Sequence, residues 1–370
     1  MTTAMFTRLL DTTNPIAALV VQEGLRPISG NIIFPPTYAG GEGENRSRYN
    51  LNPINRHNVG VLATIDSIPS QANRIEPMFM QSEYVELVPQ IIVNAGEYEK
   101  NLLEMGHRLA DAAIRFTELN EAITHAFNAY KLNGDAMPLA KLGPTSLIFG
   151  AWDSRSVNTQ TKIPRLLSAE IVATDVEELS NRFSTFNAAF DYNQFEISKD
   201  DASIIGLANA LDSGKALGGV FVHGRIQRNV TLNLNGLRAV KKSHDAGQTN
   251  LLQHYLLGLA LLAIYAPISY DLRQGCHLVS DSGKPRTSTL ILQDGTETTV
   301  DFGLADIVAF AKQSATAFGV GENQSVCFDQ KQVEQAILGM KGKKEKKEQK
   351  EKGGKKTGKA DKNDSNEENA

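Results

Sequence analysis

The stretch that most constrains the fold is residues 58–77, where an apolar run leads directly into a dense polar cluster. The apolar positions are Val59, Val61, Leu62 and Ile65, and the polar positions are Asp66, Ser67, Ser70, Gln71, Asn73, Arg74 and Glu76. Pro69 and Pro77 bracket the cluster, and neither fits inside a continuous helix without cost. Asp66-Ser67 is a favourable helix-cap sequence. The pattern predicts a buried strand followed by one short helix or turn.

This polar cluster has two interpretations. Amide, hydroxyl and guanidinium groups donate and accept hydrogen bonds in fixed geometry, which suits phosphate, sugar and base edges. The same residues would also serve as a polar helix cap that holds a loop in place. Residue types alone leave both interpretations open.

Composition indicates a soluble globular protein of 370 residues, with 41% hydrophobic and 22% charged residues. The N-terminus lacks the charged start and long apolar core of a signal peptide. Leu251 to Ile268 is the most apolar run, but Gln253 and His254 interrupt it, so we expect a buried helix and no membrane contact. The two cysteines show no pairing pattern, which favours a reducing cytoplasm.

Charge is divided unequally along the chain. From Lys341 onward there are 11 Lys and 7 acidic residues, so the other 340 residues hold 27 basic and 35 acidic side chains, a net charge of −8. An acidic body argues against indiscriminate nucleic-acid binding but permits a local basic groove. The Lys- and Glu-rich segment 341–370 cannot bury a core, and we expect it to be disordered.

Two segments concentrate basic residues. The long loop at 29–57 carries Arg46, Arg48 and Arg56, with Tyr49 among them, which suits contact with a single strand. Between Asp212 and Asp245 the chain has no acid and six basic residues, namely Lys215, Arg225, Arg228, Arg238, Lys241 and Lys242. Residues 219–234 alternate as a half-buried strand does, which predicts a basic sheet surface. Solvated surface charge is the alternative for both segments.

Residues 98–132 carry the clearest periodic signal. Apolar residues recur every seven positions, at Leu102, Leu109, Phe116, Ile123 and Tyr130. This stripe predicts a long helix or a helical hairpin along the domain surface, and a coiled coil is the alternative.

The sequence contains none of the common catalytic or phosphate-binding motifs. The seven histidines do not pair at metal-ligand spacing. Asp66 and Glu76 could form a carboxylate pair for metal-assisted cleavage, but acids beside Arg74 are more simply salt-bridge partners. We therefore expect no catalytic residues, no metal and no cofactor.

Four stretches together resemble a known family: Phe34–Tyr38, Asp66–Glu76, Phe149–Ser154, and Pro164-Arg165 leading to Glu170-Ile171. The residues of these stretches and their order along the chain resemble those of the major backbone subunit of the type I-G (formerly I-U) CRISPR surveillance complex. That subunit belongs to the RAMP superfamily of repeat-associated RNA-binding proteins. The resemblance spans the first half of the chain and is looser in the second half. The loop between Ser154 and Pro164 is less Gly-rich than in relatives.

The resemblance implies an α+β fold, a hand-like molecule with a ferredoxin- or RRM-like palm and helical and hairpin insertions. Residues 1–340 would form a single elaborated RRM-like RNA-binding domain. Its insertions would be the loop at about 29–57, a helical insertion at 98–140 and a hairpin at 150–165. The Lys-rich tail, 341–370, would follow as a disordered segment.

The function implied by the resemblance is non-catalytic. Several copies would line a CRISPR guide RNA, hold its backbone, and present it for base pairing with target DNA. Partners would be other copies of the chain, other Cascade subunits and a recruited helicase-nuclease. Ten residues are the candidate RNA contacts: Arg26, Arg46, Arg48, Ser70, Gln71, Asn73, Arg74, Arg165, Arg225 and Arg228.

Two alternatives remain. One is a metal-dependent ribonuclease of the same superfamily, in which Asp66 or Asp153 supplies a carboxylate. The other is a structural oligomer that forms without RNA, for which the apolar stripe at 102–130 is the support.

Overall fold

We analysed a computed structural model that describes residues 2–13, 16–39, 48–53, 60–154, 160–180, 190, 192–207 and 217–338. Its α-helices are α1 Thr2–Thr7, α2 Ile68–Ile75, α3 Ala112–Arg115, α4 Asn120–Asn133, α5 Met137–Leu142, α6 Thr145–Ile148, α7 Lys199–Ile204, α8 Leu234–Ala239, α9 Ala246–Tyr265 and α10 Leu304–Phe318. A further helical segment lies at 330–338. Short 3-10 helical segments occur at Arg8–Leu10, Glu76–Met80, Val85–Leu87, Leu102–Glu104, Arg108–Ala110 and Tyr192–Phe195.

Strands outnumber helices in the described part of the chain. They are β1 Ile16–Pro27, β2 Ile32–Ile33, β3 Thr37–Tyr38, β4 Arg48–Tyr49, β5 Leu51–Pro53, β6 Val61–Asp66, β7 Ile91–Ala95, β8 Tyr98–Asn101, β9 Ala151–Asp153, β10 Thr161–Ile163, β11 Leu167–Ala173, β12 Val176–Ser180, β13 Leu217–Val222, β14 Ile226–Asn233, β15 Asp271–Arg273, β16 Cys276–Ser280, β17 Thr287–Leu292, β18 Glu297–Val300 and β19 Gln324–Cys327. The fold is therefore mixed helix and sheet.

The main sheet contains nine of these strands and is curled into a half-barrel. Its order is β15-β16-β1-β14-β11-β6-β5, and every neighbouring pair is antiparallel. The long strand β1 changes partner along its length. It pairs with β17 over its first part and with β16 at its end. β17 and β18 form the hairpin that Asp294-Gly295 predicts.

A large apolar core lies between this sheet and the helices. Helix α9 runs through it, and from Tyr255 to Tyr265 every residue is buried. The interrupted apolar run is thus a core helix, as expected. Gly258 permits the close approach of α10, because a Cβ there would lie 2.9 Å from the backbone of Ala311.

A second, smaller core lies under the far end of the same sheet. There a three-stranded sheet, β12-β13-β2, covers the ends of β1, β6, β11 and β14. Ile33 and Val220 come from the small sheet, while Leu25, Ile171 and Ile226 come from the main sheet. The main sheet therefore contributes to two apolar cores along one face.

The prediction of a long helix or a helical hairpin at 98–132 is wrong. The segment folds as strand β8, two 3-10 turns and the separate helices α3 and α4. Asn101 and Asp111 cap new helical starts, with side chains that accept from the amides of Leu103 and Ala113. The heptad positions are apolar because several short elements face one core.

One strand prediction is also corrected. Residues 219–234 form two strands, β13 and β14, separated by a turn at His223–Arg225. Helix α6 ends at Ile148, and strand β9 starts at Ala151. In the region 150–165, β9 and β10 pair antiparallel. The Lys-rich segment 341–370 lies outside the described residues.

Candidate nucleic-acid interface

Asp66 is the centre of the polar cluster, and the strand-to-helix transition places it. Strand β6 ends at Asp66 and α2 begins two residues later, as the sequence predicts. Ser67 occupies the N-cap position but makes no side-chain capping bond. Pro69 lies in the first turn of α2, where its missing N–H costs nothing. The Asp66 side chain is 0% exposed.

Four side-chain donors surround the Asp66 carboxylate. Ser70 Oγ donates to Oδ1 at 2.6 Å, and Gln71 Nε2 donates to Oδ2 at 2.7 Å. Arg74 Nε donates to Oδ2 at 3.1 Å, and Arg273 Nη2 donates to Oδ1 at 3.3 Å. A buried carboxylate needs such partners to remain charged in the interior. Asp66 therefore joins three residues of α2 to the β15–β16 hairpin.

The network continues through Gln71 into the main sheet. Arg228 on β14 donates from Nε to Gln71 Oε1 at 3.2 Å and is only 1% exposed. Its Nη1 lies 3.9 Å from Glu23 Oε2 on β1. Burial lowers the pKa of Arg228, whereas Tyr270 and Glu23 raise it. Tyr270 donates from its hydroxyl to Glu23 Oε2 at 2.7 Å.

The β15–β16 hairpin closes the site from the other side. Arg273 Nη1 donates to the Ile65 carbonyl at 2.9 Å, and Arg74 Nη2 donates to the Leu272 carbonyl at 2.7 Å. At the hairpin turn, Gly275 has φ +77°, and a Cβ there would lie 2.5 Å from Phe34 Cδ2. The hairpin thus contacts two of the stretches that carry the family resemblance.

A second buried ionic cluster joins the stretch Asp66–Glu76 to the stretch Phe149–Ser154. Arg108 Nη2 lies 2.6 Å from Glu76 Oε2, and its Nη1 donates to the Gly150 carbonyl at 3.2 Å. Burial raises the pKa of Glu76 to about 7, although Arg108 opposes the shift. Arg115 Nη2 lies 3.5 Å from Asp153 Oδ2. This cluster ties the end of α2 to strand β9.

The ten predicted RNA contacts fall into three groups. Ser70, Gln71, Arg74 and Arg228 meet in the Asp66 network, where Gln71 and Arg228 are buried and the Arg74 side chain remains 33% exposed. The second group lies outside this network at exposed positions: Arg26, Arg48, Asn73, Arg165 and Arg225. Arg46 lies outside the described residues.

Sequence reasoning missed three residues of the network: Glu23, Tyr270 and Arg273. Glu23 is an acid at an inward position of strand β1, where the residues two before and two after it, Val21 and Leu25, face the cores. That break in alternation was a usable signal. Arg273 gave none, because its role depends on a hairpin turn within a segment that reads as one strand.

Neither acid proposed for a ribonuclease faces solvent. Asp66 and Asp153 are 0% and 1% exposed, and each lies beside an arginine. Among the described residues, no group of three or more His, Cys, Asp or Glu is placed to hold a metal ion. Within the same residues, no helix is long and apolar enough to cross a membrane.

The chain is similar to a family model over part of its length and to a chain of a solved structure. No protein among the curated sequences matches the chain. One chain of a solved "CRISPR RNA-guided surveillance complex, pre-nicking" is 13% identical, with a TM-score of 0.30 over 82% of this chain and 88% of that chain. Residues 19–178, less than half of the chain, match the model of a CRISPR-associated family described as CRISPR-associated protein GSU0053.

Proposed function

We propose that this chain is a non-catalytic CRISPR effector subunit that binds guide RNA and oligomerises along it. The observation that carries the proposal is the match of residues 19–178 to a CRISPR-associated family model, since this range includes the whole Asp66–Glu76 cluster. The bound guide would pair with target DNA. Other Cascade subunits and a helicase-nuclease would complete the assembly.

The strand order supports a ferredoxin-like palm as part of this proposal. Such a palm requires four antiparallel strands in the order β17-β1-β14-β11. It also requires helical connections between β1 and β11 and between β14 and β17, and the chain has both. Strands β6 and β5 extend it at one edge. A palm of this kind would leave the opposite face of the sheet and its loops available to RNA.

Exposure divides the candidate RNA contacts into two roles. Arg74 and Asn73 on α2, with Arg26, Arg48, Arg165 and Arg225, present charge or amide groups at the surface and would contact the RNA backbone. Gln71 and Arg228 are buried, and Ser70 bonds Asp66, so these three would hold α2 in position. Arg46 remains a candidate from sequence.

Contact between copies would use the insertion between β12 and β13. Four large apolar side chains there are more than half exposed, at 64% for Phe190, 56% for Phe195, 82% for Ile204 and 60% for Ile205. The rings of Phe190 and Phe195 lie edge to face, with centroids 6.4 Å apart, and an exposed apolar patch is a common mark of a protein interface. The proposed occupant is a second copy, because copies bound side by side on one RNA must touch.

Stoichiometry on RNA of increasing length tests the proposal. We expect the number of protein copies per RNA to increase in steps as the RNA becomes longer. The double variant Phe195→Ser, Ile204→Ser should remove this stepwise increase, while a single copy still binds. The paired control is Ile28→Ser, another exposed apolar residue, 61% exposed, on a different loop. A chain that stays monomeric on long RNA would contradict the oligomer, and one that binds no RNA would contradict the whole proposal.

A further inference from the structure

We propose that Arg74 and Arg273 together form one anion-binding site that binds a phosphodiester group of the RNA. The buried Asp66 carboxylate holds both guanidinium groups in place. The inference rests on the proposed RNA-binding function and deepens it. It adds Arg273, which lies outside the segment that matches the family model and carries no sequence signal for binding.

The two guanidiniums share one carboxylate. Arg74 Nε donates a hydrogen bond to Asp66 Oδ2 at 3.1 Å, and Arg273 Nη2 donates one to Asp66 Oδ1 at 3.3 Å. Because both oxygens belong to one buried, immobile group, the two guanidiniums are held side by side. A phosphate group with several acceptor oxygens matches paired guanidiniums better than a single one.

Each arginine also donates a hydrogen bond to a backbone carbonyl of another element. Arg74 of α2 donates to the Leu272 carbonyl of β15, and Arg273 of β15 donates to the Ile65 carbonyl of β6. These crossed bonds orient both guanidinium planes before any ligand arrives. Binding then costs less side-chain entropy than it does for two free surface arginines.

Donor capacity and charge remain at the surface. The Arg74 and Arg273 side chains are 33% and 25% exposed. A guanidinium has five N–H donors, and the hydrogen bonds of each arginine to Asp66 and to a carbonyl use two of them. Two positive charges face one negative charge at Asp66, whereas Arg228 is offset by Glu23. A structural role alone would need only one guanidinium to balance Asp66.

Binding of guide-length single-stranded RNA, followed by fluorescence anisotropy between about 50 and 200 mM KCl, tests this site. We expect Arg273→Gln to weaken binding by about tenfold, as the loss of one charged hydrogen bond does. The salt slope should fall by about 0.7, the value for one phosphate contact on a single strand. Arg8→Gln, an exposed arginine beside α1 and α8, is the control and should change neither quantity.

The outcomes separate this site from the wider function. If the wild-type protein binds no RNA, the proposed function fails and this site fails with it. If the wild type binds and a folded Arg273→Gln protein binds equally with an unchanged salt slope, only this site is overturned. If the Arg273→Gln protein misfolds, hydrogen exchange on the wild type tests the site instead. RNA should slow amide exchange at residues 270–276, and exchange that RNA leaves unchanged there overturns the site.

Discussion

Glu23 on β1 and Arg228 on β14 are directly opposite each other in the sheet, with Oε2 and Nη1 3.9 Å apart. On both strands the inward positions before and after this pair are apolar, and they belong to different cores on its two sides. The ion pair therefore marks the boundary between the cores. Through Gln71 it connects this boundary to Asp66 and helix α2.

A double-mutant cycle on this pair tests whether the boundary is energetically coupled. Arg228→Met alone should cost about 3–5 kcal/mol, since it leaves buried acceptors without a charged partner. Glu23→Gln combined with Arg228→Met should cost at least about 1 kcal/mol less than the sum of the single changes. Urea unfolding measures each free energy. His223 and Glu177, an exposed pair 3.1 Å apart, should give a coupling below about 0.5 kcal/mol. Equal couplings would contradict the boundary role.

Asp66→Asn should destabilise the fold by about 3–5 kcal/mol. Either orientation of the new amide places an NH₂ group against two donors, because each Asp66 oxygen accepts two bonds. Thermal and urea unfolding provide the measurement. Asp271→Asn, on the exposed surface of the adjoining hairpin, is the control and should stay within about 0.5 kcal/mol of wild type. Similar losses for both variants would show that Asp66 is not the hub.

Gly275→Ala should destabilise the hairpin contact with Phe34. The backbone at this position has a φ of +77°, which is unfavourable for alanine, and the new Cβ would lie 2.5 Å from the Phe34 ring. Gly295→Ala is a matched control, because φ is +84° there and nothing lies within 4 Å of the new Cβ. Each change should cost about 1–2 kcal/mol for the backbone, and Gly275→Ala about 1–3 kcal/mol more for the clash. Equal melting temperatures would mean that Phe34 does not pack tightly on the turn.

Glu76 should make stability depend on pH near neutrality. Its folded pKa is raised from 4.5 to about 7 by burial, so the fold favours the protonated carboxyl. The associated stability is complete below about pH 4.5 and is lost as pH rises through about 7. The loss is on the order of 1–3 kcal/mol.

Comparison with Glu76→Gln isolates this contribution. The amide does not titrate, so the free energy of unfolding of wild type minus that of the variant should fall between pH 4.5 and pH 8. Urea unfolding at several pH values provides the curve. A difference that rises with pH would show that the ion pair with Arg108 outweighs burial and that the sign is wrong.

Local pattern was sufficient for several elements of the fold. The apolar run ending at Asp66 predicted β6 and α2, the length and polarity of 251–266 predicted α9, and Asp294-Gly295 predicted the β17–β18 hairpin. Each of these depends on interactions between residues close in sequence, which composition and spacing encode directly.

Nonlocal contacts decided the rest. The stripe at 102–130 did not form one helix, because caps at Asn101 and Asp111 start separate elements that face a common core. Arg228 is predicted as an RNA contact, whereas pairing of β14 with β1 and β11 points it inward toward Gln71. Sheet register and a hairpin some two hundred residues away, at Arg273, are not readable from one sequence.

The most direct test of the central claim is the nucleic acid that co-purifies with the chain. The protein should be expressed with a CRISPR array and its neighbouring genes, purified, and its bound nucleic acid sequenced. We predict guide-length RNA with several protein copies per RNA, lost with Arg74→Glu and retained with Arg8→Glu. Protein free of nucleic acid, or random cellular RNA that Arg74→Glu leaves unchanged, would contradict the account and leave the Asp66 network as a purely structural element.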